Sequence, residues 1–368
     1  MNGFGLTRGR GIAVLCACVA ATLTLTACGG GTGAASGSAG GSGAALLTST
    51  ATDRDSQLVA AAKKEGTLNW VTSLAGPVVS AIVAAFEKQY PFIHMTVNRG
   101  DEGAIVPQAI QEITARKPAG DVFEVTASGA LELKDAGALV PYVSPNAGGI
   151  PQEFKVLDGS GHDLLLTDRI SYISFGYNTK LVPANAVPKS LQDLLNPALA
   201  NKLAVETDTT SEEWIGAVLH KMGPQAGEAF LRKLADQQHV SQTSLSGSAL
   251  MGLVATGQYA ASPSVFHNHQ EQNADKGAPV AWVPLDPVIA NVGQLGILAN
   301  TPHPASAMLF VDFLTSSAGQ KVLESKRYSP PEQKQPFTAW IPSQGAKDAN
   351  AYNDELKQWA ALQKKYFG

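Results

Sequence analysis

Two periods alternate along the chain from residue 56 onward. Apolar residues spaced as on one face of a helix recur over 56–64, 77–90 (Val78, Ile82, Ala85, Phe86), 104–115 and 131–136. Between them stand short apolar runs of strand length at 67–73, 93–97 and 120–125. Strands alternating with helices predict an α/β lobe built on a largely parallel sheet. A strand-like run at 169–178 opens a second set, with strands at 203–205 and 259–262 and helices over 209–219, 225–236, 249–255 and 265–275. The next stretch, 276–331, reads KGAPVAWVPLDPVIANVGQLGILANTPHPASAMLFVDFLTSSAGQKVLESKRYSPP. It carries strands at 280–283 and 296–299, then a helix opened by Pro302-His303-Pro304, where proline's missing N–H does no harm. That helix turns Ala307, Met308, Phe310, Val311 and Leu314 toward a core. In the tail, 351–367, Leu356, Trp359, Leu362 and Phe367 form one stripe, as in a helix packed back on the body.

The first residues follow another pattern. Arg8 and Arg10 precede an uncharged stretch, 11–26, too short to span a bilayer comfortably. Leu25-Thr26-Ala27-Cys28 then has the form of a lipobox, so residues 1–27 are expected to be a lipoprotein signal peptide and Cys28 the lipidated residue. Residues 28–55 are mostly Gly, Ala, Ser and Thr and read as a flexible linker. No other long apolar run exists, so the lipid alone would hold the chain to the membrane. Of the three cysteines, Cys16 and Cys18 leave with the signal peptide. None remains for disulfides, thiolate metal sites or cysteine catalysis. Cleavage removes two arginines and no acid, taking the formal charge from −4 to −6, and a mildly acidic surface argues against nucleic acid as a partner.

The stretch at 276–331 resembles the C-terminal portion of extracellular solute-binding proteins of ABC importers, the group containing ferric-ion-binding proteins. The resemblance extends to FEKQYPFI (86–93), GDVFEV (120–125), GALVPYVSP (137–145) and VPKSLQDLLNP (187–197). It implies an α/β, two-lobe architecture of the type 2 periplasmic-binding-protein kind, with a hinge between lobes. Lobe 1 would comprise 56–170 and 284–368, and lobe 2 would comprise 171–283. The implied role is to capture a small, anionic solute by hinge closure and deliver it to ABC permease subunits, the alternatives being capture of ferric or another metal ion and a non-transport cell-surface sensor with the same fold. The chain would act outside the cytoplasm as a monomer, without a cofactor and without catalysis.

Candidate contacts lie where hydroxyls gather at helix starts, because unpaired N–H groups there attract anions. These are Ser73 after the first strand, Thr126 and Ser128 after the third, and Thr209, Thr210 and Ser211 with Ser246 in lobe 2. Thr209-Thr210-Ser211 is read as the cap of the helix that follows. His267 is a candidate charge partner for an anionic solute, and His267 with His269 an alternative metal pair. Arg169 is a further source of positive charge. Iron-binding members use adjacent tyrosines after the segment matching Val254–Tyr259, and no tyrosine pair follows here, which disfavours ferric iron. No nucleophile elbow, P-loop, HExxH or dinucleotide fingerprint is present, so an enzyme is not expected.

Overall fold

The computed structural model describes residues 43–245, 247–346 and 348–368. The expected signal peptide, Cys28 and Ser246 lie outside the described residues. In chain order the elements are α1 (Arg54–Glu65), β1 (Thr67–Thr72), α2 (Gly76–Gln89), β2 (His94–Arg99), α3 (Glu102–Thr114), β3 (Val122–Thr126) and α4 (Ala127–Asp135). Then come β4 (Leu139–Val140), β5 (Lys155–Leu157), β6 (Asp163–Asn178), β7 (Ala204–Glu206), α5 (Thr209–Met222), α6 (Pro224–Gln238) and β8 (Ser241–Thr243). The remainder is α7 (Ser248–Thr256), β9 (Ala261–Phe266), α8 (His267–Ala274), β10 (Val280–Val283), β11 (Val288–Leu298), α9 (Pro304–Leu314), α10 (Ser317–Glu324), β12 (Ala339–Trp340) and α11 (Ala349–Phe367).

Two main cores divide these elements into two lobes. The first gathers Leu58, Trp70, Ile82, Phe86, Met308, Phe310 and Leu314 from α1, β1, α2 and α9. Phe310 meets Phe86 edge-on, with ring centroids 5.1 Å apart. Nearly every residue of α9 is buried, so side chains cannot supply its cap from solvent. The Glu65 carboxylate caps it instead, accepting from the Ala305 and Ser306 N–H groups at 3.1 and 2.7 Å. Leu46 and Leu47 also join this core, so these residues of the expected 28–55 linker belong to the lobe. The second core gathers Ile173, Phe175, Val205, Trp214, Ile215, Val218, Phe230 and Leu231 from β6, β7, α5 and α6.

The sheet is mixed, in the order β10-β6-β11-β3-β1-β2. The parallel pairing expected for the whole lobe is confined to its β2-β1-β3 edge and the short β11-β12 ladder. β11 lies antiparallel to both β3 and β6, since a strand that returns directly needs no helical crossover. β6 and β11 pass through both lobes. Leu166 of β6 sits in the first core and Ile173 in the second, while β11 starts in the second with Ile289 and ends in the first with Leu295 and Ile297. The chain thus returns inside β11 rather than at residue 284. The ladder shifts register between Gly293 and Gln294, midway along this strand pair.

A third crossing was not expected. After β12, which pairs with the start of β11, the chain enters the second lobe again. There Tyr352, Trp359 and Phe367 of α11 join the second core rather than the first. The close approach depends on Gly216 of α5, where a Cβ would lie 2.7 Å from the Trp359 ring. The start of α11 reaches back to the first lobe: Ala349 N–H donates to Asp135 at 2.7 Å and Asn353 to Glu132 at 3.2 Å.

Candidate functional site

Between the lobes lies a cleft of about 710 Å³. One wall comes from the ends of β1, β2 and β3 and the helix starts that follow, presenting Ser73, Arg99, Asp101, Glu102, Thr126, Ser128 and Glu132. The opposite wall comes from the second lobe and α11, with Thr209, Thr210, Glu213, Phe266 and Leu356. Asn291, in the part of β11 that joins the lobes, also lines it. A crevice beyond the strand ends of an open α/β sheet is where this architecture leaves backbone N–H groups and side chains free to meet a ligand.

The hydroxyls on the first wall are already engaged. Glu102 Oε1 accepts from the Ser73 hydroxyl at 2.8 Å and from the Thr126 N–H at 2.6 Å. Its Oε2 accepts from the Thr126 hydroxyl at 2.8 Å. One carboxylate thereby ties three consecutive turns together and caps α4. Two further helix starts at the cleft are capped by their own N-cap acids. Asp101 accepts from Gly103 N–H at 3.0 Å, and Asp208 from Thr210 N–H at 3.0 Å. The cap of α5 is therefore Asp208, not the Thr209-Thr210-Ser211 run. An acid favours each position because the helix N-terminus carries partial positive charge. These donors are occupied by the protein's own carboxylates, whereas the starts of α2 and α8, beside Ser73 and Phe266, carry no side-chain cap.

Ser73, Thr126, Ser128, Thr209 and Thr210 do line the cleft. Ser211 does not: it is 1% exposed, its hydroxyl accepts from Glu206 N–H at 3.0 Å, and it lies 3.0 Å from the Ser264 hydroxyl. It holds β7 to α5. His267 is also absent from the lining. Its ring packs against Trp282 with centroids 4.6 Å apart, and burial pushes its pKa down, so it carries no charge for an anion. His269 is pushed down to about 4 by burial. Among the described residues no group of three or more His, Cys, Asp or Glu side chains could hold a metal ion. Arg169 is spent beneath the cleft, 2.8 Å from Glu124, which accepts from Thr72 at 2.7 Å on its other oxygen.

Glu213 is the residue that sequence reasoning passed over. It is 6% exposed and stands in a buried run with Trp214, Ile215 and Val218. Its Oε1 accepts from the Tyr352 hydroxyl at 2.8 Å, and its Oε2 has no partner among the described residues. Burial, with Asp208 and Glu212 nearby, pushes its pKa up to about 7 against the Tyr352 hydrogen bond. One signal was available: Glu213 is four residues beyond Thr209, hence on the same helix face.

Comparison with known proteins follows the same line. The model of the bacterial extracellular solute-binding proteins matches residues 70–321. A curated Fe(3+)-binding periplasmic protein from Serratia marcescens is 24% identical over 243 residues, 63% of this chain and 69% of that protein. An uncharacterized protein of Haemophilus influenzae is 23% identical over 270 residues, 71% of this chain and 76% of that one. Among solved structures, the periplasmic binding protein AfuA of Actinobacillus pleuropneumoniae, with fructose-6-phosphate bound, superposes with a TM-score of 0.63 at 21% identity. The superposition covers 82% of this chain and 99% of that one. Iron-bound HitA of Pseudomonas aeruginosa gives 0.63 at 20% identity, with the same coverage. At these identities the structural likeness shows the two-lobe fold.

Proposed function

The chain belongs to the bacterial extracellular solute-binding proteins and is the substrate-binding component of an ABC importer, and we propose that it takes its solute in the cleft lined by Thr126, Ser128, Thr209, Thr210 and Glu213. The observation that carries this reading is the 710 Å³ cleft whose walls come from both lobes and reach β11 at Asn291. A solute touching both walls favours the closed arrangement over the open one, and β6 and β11 are the strands about which the lobes turn. We assign the lobes as 43–170 with 294–338, and 171–293 with 339–368. The permease recognises the closed form. Its family places the chain outside the cytoplasm, and no helix among the described residues is long and apolar enough to cross a membrane. We assign the attachment to a lipid on Cys28 and the working state to a monomer. Binding and release, with no bond made or broken, is the whole of the chemistry in this reading.

Ferric binding is a second reading, favoured by the name of the Serratia marcescens relative and by the carboxylates along the cleft. Thermal unfolding of the full chain tests both, against phosphate, fructose 6-phosphate, diamines and Fe(III) citrate. A solute bound by the native state alone raises the midpoint, by roughly 2.7 kcal/mol of stability at a hundredfold excess over Kd. The proposal expects one solute to do so and Thr210→Trp, which fills the cleft, to abolish the shift. A shift that survives Thr210→Trp would put the site elsewhere.

A further inference from the structure

We infer that the solute carries a cationic nitrogen, an ammonium or guanidinium group, that pairs with the carboxylate of Glu213. The inference rests on solute capture in the cleft as proposed above. Glu213 lines that cleft while being 6% exposed, and its Oε2 is buried without a partner among the described residues. Its side-chain partners are the Tyr352 hydroxyl at 2.8 Å and the Asn291 carboxamide, both neutral donors. A buried carboxylate normally has a cation or several donors, because leaving it unpaired costs several kcal/mol. No lysine, arginine or histidine is paired with it among the described residues, and the cleft is the side from which a cation can approach.

The rest of the lining agrees. Asp101, Glu102 and Glu132 stand against one guanidinium, Arg99, whose Nε is already held by the Leu74 carbonyl at 2.5 Å. Several donors that an anion could use, those of Ser73, Gly103, Thr126 and Thr210, are spent on Glu102, Asp101 and Asp208. Phe266 and Leu356 add apolar and aromatic surface, which suits the carbon frame of an organic cation better than a bare ion. A competing arrangement has Glu213 protonated and donating to a carbonyl or phosphate. Because its pKa is pushed up to about 7, both forms are populated near neutrality and the two arrangements respond oppositely to pH.

The test titrates the full chain and its Glu213→Gln and Glu132→Gln variants by calorimetry at pH 6 and pH 8. The probes are 1,4-diaminobutane, agmatine and arginine, with fructose 6-phosphate, phosphate and Fe(III) citrate beside them. At least one amine should bind about tenfold tighter at pH 8 than at pH 6, as ionisation of a group near 7 requires. Glu213→Gln should weaken it by about tenfold or more at pH 8, the usual loss for a charge-assisted bond. Failure of all three amines to bind, or binding indifferent to Glu213→Gln, overturns the inference. So does tighter binding of a phosphate compound at pH 6, or of Fe(III) citrate in both proteins, and either would leave solute capture standing. Capture itself fails if no probe binds and the purified chain carries no small molecule in native mass spectrometry. Should Glu213→Gln not fold, the pH response of the wild-type chain and the Glu132→Gln titration decide.

Discussion

Burying Glu213 without a cation should make the empty protein less stable as pH rises, the reverse of the usual behaviour of a salt-bridged acid. Its pKa moves from 4.5 to about 7 on folding. Since the native state holds the proton more tightly, this contribution is intact below about pH 4.5, is lost as pH rises toward 7, and stays lost above. Each pKa unit corresponds to about 1.4 kcal/mol, so the whole span amounts to about 3 kcal/mol, and some 2–3 kcal/mol of it falls between about pH 5 and pH 8. Asp168, pushed up to about 8 mainly by burial, and Glu206, pushed up to about 9 mainly by burial, bend the profile the same way. The variant Glu213→Gln removes the titration while keeping an oxygen for the Tyr352 hydroxyl. Urea unfolding of both proteins at pH 5 and pH 8 isolates the effect, because constant differences cancel between the two pH values. The stability of Glu213→Gln relative to wild type should improve by about 2–3 kcal/mol from pH 5 to pH 8. A difference independent of pH, or one that moves the other way, refutes the reasoning.

Three further outcomes follow from the same geometry. Glu102→Ala removes the acceptor shared by Ser73 and Thr126 and should cost about 2–4 kcal/mol in urea unfolding, with a loss below about 0.5 kcal/mol contradicting its role. Arg169→Met leaves Glu124 buried and unpaired and should cost about 3–5 kcal/mol, most of it recovered in the Arg169→Met/Glu124→Gln double variant. If the double variant is no better than the single one, the pair is not coupled. Gly216→Ala should lower stability by about 1–3 kcal/mol by pushing α11 off α5, and an unchanged thermal midpoint would show that the two helices are not packed so closely.

Periodicity carried most of the first lobe. The runs ending at Gly66 and restarting at Pro302-His303-Pro304 are helices at nearly the expected places, because left-handed glycine and first-turn proline are local devices. The partners of long strands are not local. Nothing within 163–178 says that it pairs with 288–298, so the mixed sheet and the return inside β11 were beyond the reach of patterning. The tail's stripe gave a helix, but its choice of lobe depends on the missing side chain at Gly216, which no single-sequence pattern marks. In the site, hydroxyl-rich turns pointed to two turns of the first lobe that line the cleft, at Ser73 and at Thr126 and Ser128. What they bind was hidden, since Glu102 lies far along the chain from both Ser73 and Thr126 and takes their donors. Ser211 failed as a contact because the cap sits one step earlier, at Asp208, which turns Ser211 inward. Glu213 was missed because an acid near a helix start is favoured by the dipole whether or not a ligand is near.

The central claim is that a solute held between the lobes draws them together about β6 and β11. Spin labels on two exposed residues, Gln108 of α3 and Ser244 after β8, would report the distance across the cleft once Gln108→Cys and Ser244→Cys are introduced into a chain without its native cysteines. Adding the solute that most raises the unfolding midpoint should shorten and narrow the distance distribution. It should leave unchanged the distribution in the same chain carrying Thr210→Trp. An unaltered distribution at saturating solute would contradict capture by closure of this cleft.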